Sequence, residues 1–81
     1  MHEMSVAMEI CRIVENKMPA EGTLVSVGVE IGDTAGLEPD NLEFCLETLL
    51  TQPPFAGAKP VFDRVTGDVL RVTYLEMDDG N

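Results

Sequence analysis

The sequence predicts a two-layer α/β domain in the order α-β-α-β-β, a three-stranded sheet with two helices packed on one face. Three observations point to it. An apolar stripe at helical spacing opens the chain. A period-two run of β-branched residues follows. A second helical stripe, closed by two prolines, then leads into two further extended segments. With 81 residues, 44% of them apolar, the chain makes a single domain (1–81) around one modest core.

In "MHEMSVAMEICRIVENKMP", Met4, Ala7, Cys11, Val14 and Met18 recur at steps of three and four, so a helix is expected over 3–18. Pro19 ends it and Glu21-Gly22 turns the chain. In "TLVSVGVEIGD", Val25, Val27, Val29 and Ile31 alternate with Ser26, Gly28, Glu30 and Gly32, the pattern of a strand covered on one face. The second helix lies within "AGLEPDNLEFCLETLLTQPP". Pro39 suits its first turn, and Glu38 and Asp40 complement the positive end of its dipole. Leu42, Cys45, Leu46, Leu49 and Leu50 form its buried side, and Pro53-Pro54 stops it.

The last third reads as a β-hairpin. "AKPVFDRV" is one strand, which Pro60 confines to an edge or a strand start. Thr66-Gly67-Asp68 is the turn and "VLRVTYLEM" the returning strand. Leu70 and Val72 have one parity and Leu75 and Met77 the other, so a bulge or a two-sided burial is expected near Thr73-Tyr74. The tail from Asp78 is expected to fray.

Fifteen acids against five bases give a net charge of −10. Nucleic acid and anionic membranes need clustered Lys and Arg and are poor partners for such a surface. Glu3 and Glu9 interrupt the start, which has no basic flank, so neither a signal peptide nor a span is expected and the chain reads as cytoplasmic. Cys11 and Cys45 match no CxxC or zinc spacing and fall on apolar helix faces, where buried thiols are expected. No catalytic residue is assigned. There is one histidine, no GxSxG elbow and no P-loop lysine. An enzyme would place its acids first at Glu30, Asp33 and Glu38, around the strand-turn-helix junction.

The single histidine, His2, follows the initiator Met. A bulky second residue discourages removal of that Met, which leaves the free amine on Met1. An amine, nearby amide nitrogens and an imidazole can enclose one metal ion, and such nitrogen sets suit square-planar Ni(II) or Cu(II) better than tetrahedral Zn(II). Glu3 adds a carboxylate alongside.

Four stretches give the chain a resemblance. "MHEMSVAMEICRIVEN", "VSVGVEIGDTAGLEPDNLEFCLE", "GAKPVFDRV" and "TGDVLRVTYLEMD" together resemble the HypA/HybF family, nickel-insertion accessory proteins of [NiFe]-hydrogenase maturation. They match its Met-His-Glu opening and helix, its strand, IG-x-x-x-G-(V/L)-x-P turn and second helix, and the strands on either side of its zinc module. The departure is that Val65-Thr66-Gly67-Asp68 joins the last two strands directly, near 65–68, where the family carries two CxxC pairs.

The resemblance implies a nickel metallochaperone with Ni(II) bound at Met1, His2 and Glu3. The ligands would be the Met1 amine, the His2 imidazole and the main-chain nitrogens of His2 and Glu3, with the Glu3 carboxylate beside them. No zinc is expected. The implied partners are a HypB-like GTPase and the hydrogenase large subunit, and self-association stays open. The alternative is a zinc-free, HypA-like interaction module that has lost nickel delivery.

Overall fold

The computed structural model describes residues 2–79. Met1, one of the expected metal-binding residues, and the last two residues, Gly80 and Asn81, lie outside them. The elements follow the expected order: α1 (Glu3–Lys17), β1 (Thr23–Gly32), α2 (Pro39–Leu50), β2 (Lys59–Val65) and β3 (Leu70–Asp78).

The helix stripes meet the sheet in one apolar core. Ala7, Ile10, Cys11 and Val14 of α1 and Leu42, Cys45, Leu46 and Leu50 of α2 are buried against Leu24, Val27, Val29 and Ile31 of β1. Phe55 and Ala58 close its lower end from the α2–β2 connection. Both cysteines are free and buried, as expected from their helix faces. The first position of the α1 stripe belongs to Glu3, which is buried, and Met4 instead faces solvent at 44% exposure. A charged residue can hold that position because its carboxylate is fully hydrogen-bonded, as described below.

The sheet corrects the hairpin expected for the last third. Its order is β2-β1-β3, with β1 parallel to β2 and antiparallel to β3. The two late strands therefore flank β1 rather than each other, and residues 66–69 cross over the end of β1. Four hydrogen bonds fasten that crossover. Gly32 N–H donates to Val69 C=O (2.7 Å), Asp33 N–H to Val65 C=O (2.9 Å) and Thr34 N–H to Gly67 C=O (3.1 Å). In return, Gly67 N–H donates to Asp33 Oδ1 (2.8 Å). The approach is so close that a Cβ on Gly32 would lie 1.9 Å from the Gly67 carbonyl oxygen. Gly67 itself has φ +104°, a conformation that glycine adopts without penalty.

Two bulges adjust the pattern. On β3 the register steps from Tyr74↔Gly28 to Val72↔Val29, leaving Thr73 as the extra residue, where the parity change placed it. On β1 a second step between Leu24 and Ser26 leaves Val25 extra. Leu24 consequently points into the core and Val25 is 40% exposed, contrary to strict alternation.

Candidate metal centre at the start of α1

α1 begins one residue after His2. His2 is its N-cap, with no side-chain capping bond, and its C=O accepts the first helical hydrogen bond from Val6 N–H (3.1 Å). The imidazole is on an exposed residue. The leading N–H groups of a helix have no acceptor in the helical ladder, so the amides of His2 and Glu3 can be given to another ligand without breaking an α1 bond. An exposed imidazole and two amide nitrogens outside the helical ladder thus sit in consecutive residues, the Glu3 N–H lying against its own carboxylate.

Glu3 behaves differently. Its carboxylate turns away to the start of α2, where Oε2 accepts from Glu38 N–H (3.0 Å) and Oε1 accepts from Asn41 Nδ2–H (3.0 Å). The Glu38 N–H holds the acid below its ordinary value of 4.5, against the opposing effect of burial. Its own N–H and Asn41 add to the lowering. α2 is capped on its other side by Glu38, whose carboxylate accepts from Asn41 N–H (2.7 Å) beside Pro39 at the first turn. Two carboxylates therefore satisfy the start of α2, and one of them ties it to the start of α1. Chain position alone sets Glu3 near His2 but does not reveal Glu38 and Asn41 as its partners. A carboxylate at the head of one helix pattern and an E-P-D-N start on another carry no signal of mutual contact.

Where enzyme chemistry was sought first, each acid holds a structural bond. Glu30 pairs with Arg71 (2.8 Å), Asp33 receives Gly67 N–H, and Glu38 caps α2. Among the described residues, no group of three or more His, Cys, Asp or Glu side chains could hold a metal ion, and no helix is long and apolar enough to cross a membrane. A metal at this end would therefore depend on main-chain nitrogen and one imidazole, not on a side-chain cage.

Comparison with known proteins adds the remaining observations. Residues 1–73 match the family model described as "Hydrogenase/urease nickel incorporation, metallochaperone, hypA". The chain is 39% identical over 67 residues to a hydrogenase maturation factor HypA of Geobacter metallireducens, covering 83% of this chain and 60% of that one. It is 38% identical over 68 residues to the HypA of Geobacter sulfurreducens, with the same coverage of 83% and 60%. To the HypA of Streptomyces avermitilis it is 37% identical over 70 residues, covering 83% and 53%. The chain thus spans a little over half the length of these relatives.

Proposed function

Because this chain belongs to the HypA family, we propose that it is a nickel-carrying maturation factor whose metal site is its own first three residues. Ni(II) is its cargo. The Met1 amine, the main-chain nitrogens of His2 and Glu3, and the His2 imidazole form a planar four-nitrogen set around the ion. The carrying observation is the division of labour at the start of α1. The exposed His2 and two amides lie outside the helical ladder, while the Glu3 carboxylate, which also faces Glu3's own N–H, is committed to α2.

Such a site suits transfer. It lies at a chain end, so a recipient can displace the nitrogens one at a time. The recipients this reading names are a HypB-like GTPase and the large subunit of a [NiFe]-hydrogenase. No zinc is assigned to this chain, because it carries no CxxC pair and its two cysteines are buried on separate helices.

Isothermal titration of the tag-free chain with Ni(II) tests the site. One ion should bind per chain, and His2→Ala should lose most of the affinity. Parent-like binding by His2→Ala removes the site. Binding no tighter than that of a scrambled N-terminal peptide supports the other reading, a HypA-like interaction module without nickel delivery. What favours that alternative is the crossover itself. Residues 66–69 stand where the family's zinc module would be and are fastened by three hydrogen bonds to the end of β1 and the turn that follows it.

A further inference from the structure

β3 is a nine-residue strand at one edge of the sheet, and among the described residues nothing pairs with its outer side. It carries no Pro and no Lys, and the charged residues Arg71 and Glu76 lie away from the helices, so its protection as an edge is confined to charges on the open side and the bulge at Thr73. Beside it lies an apolar groove of about 240 Å³, lined by Val6, Ile10 and Ile13 of α1 and by Leu70 and Val72 of β3. Leu70 is 38% exposed, and Val72, Leu75 and Met77 are half-buried.

The bulge at Thr73 gives this edge a particular symmetry. Leu70, Val72, Leu75 and Met77 pair with the core residues Ile31, Val29, Val27 and Leu24, so all four share the helix side. Arg71, Tyr74 and Glu76 pair with Glu30, Gly28 and Ser26 on the open side. A two-fold axis between Thr73 and Tyr74 then sets Leu70 opposite Met77, Val72 opposite Leu75, and Arg71 opposite Glu76. Every pair falls on one face, and the only charged pair is of opposite sign. In an unbulged strand Leu70 and Met77, seven residues apart, would lie on opposite faces, and this register could not keep the helices of both copies on one side of the sheet.

We propose that β3 pairs antiparallel with β3 of a second copy of this chain, making a continuous six-stranded sheet. Val72 and Leu75 of each copy cover the groove of the other. On the open face, Arg71 meets Glu76 of the second copy. Each already has a partner of its own: Glu30 bonds Arg71 (2.8 Å), and Ser26 Oγ–H donates to Glu76 Oε1 (2.6 Å). The result is a row of complementary polar groups across four strands. The net charge of −10 on each copy opposes the association, so it is strongest where salt screens that repulsion. Nickel takes no part in it, so it stands or falls separately from the metal site.

Sedimentation equilibrium of the full, tag-free chain in EDTA and physiological salt tests it. The expected mass rises with concentration from 8.8 kDa toward twice that value. Leu70→Lys, at an exposed position, should weaken association by about tenfold or more. Arg71→Glu and Glu76→Arg should each weaken it, and the double variant should restore it, because in the pair each position faces the other. A chain that stays monomeric to millimolar concentration overturns the proposal. So does association unchanged by Leu70→Lys, or a double variant no better than its single parents.

Discussion

Asn41 donates its side-chain N–H to Oε1 of Glu3 across 38 positions of sequence, at 3.0 Å, and so joins the starts of the two helices. The other oxygen takes the Glu38 main-chain N–H, leaving both carboxylate oxygens engaged in a buried place. Glu3 thereby fixes the start of α1, beside His2.

Removing that carboxylate strands the Glu38 N–H, whereas removing Asn41 leaves the main-chain bond in place. Glu3→Ala should therefore lower the melting temperature clearly, and Asn41→Ala should lower it less. Thermal unfolding followed by circular dichroism compares them. Equal losses, or none for Glu3→Ala, would show that the carboxylate does not hold the helices together.

The same bond sets a pH dependence. The acid's folded value lies below its ordinary 4.5, so its contribution to stability is present above that value and disappears as pH falls through the lowered one. Between neutrality and pH 5 the contribution is constant. Denaturant midpoints measured downward from pH 5 should fall less steeply for Glu3→Gln than for the parent, since the variant has no such proton to take up.

Two glycines of β1 make a contrasting pair. A Cβ on Gly32 would meet the Gly67 carbonyl oxygen at 1.9 Å, main chain that cannot move without opening the crossover. A Cβ on Gly28 would meet the Tyr74 ring at 2.2 Å, and Tyr74 is 46% exposed and can swing outward. Gly32→Ala should thus destabilise more than Gly28→Ala, and Tyr74→Ala should relieve much of the Gly28→Ala loss but none of the Gly32→Ala loss. Melting temperatures of the three single variants and the two doubles with Tyr74→Ala decide it.

In the core, Leu46 of α2 is fully buried, and Leu46→Ala should cost about 2–5 kcal/mol by urea unfolding. A smaller loss would mean that this face of α2 is packed less tightly than its burial indicates.

What the sequence disclosed follows the reach of its signals. Helix faces are local patterns, so α1, α2 and the buried thiols were legible, and the parity change in "VLRVTYLEM" located the bulge at Thr73. Strand neighbours are not local. Four residues between two extended segments look like a hairpin turn, yet here they span the end of β1. A hint lay in β1 itself, where Ser26, Gly28 and Gly32 on the outer face are small enough to be buried there too, as befits a central strand. Val25 was misplaced because a β1 bulge inverts the alternation without altering the run of valines. For the proposed metal site, position in the chain points to His2 and the backbone. The fastening of Glu3 to α2 exists only in three dimensions.

The most direct test of the metal site is the visible absorption and magnetism of the tag-free chain loaded with one Ni(II). Four nitrogens in a plane predict a diamagnetic, yellow complex that weakens in acid, where protons compete with the metal for the nitrogens, and that is lost in His2→Ala. A pale paramagnetic spectrum like that of hydrated nickel, unchanged by His2→Ala, would contradict it.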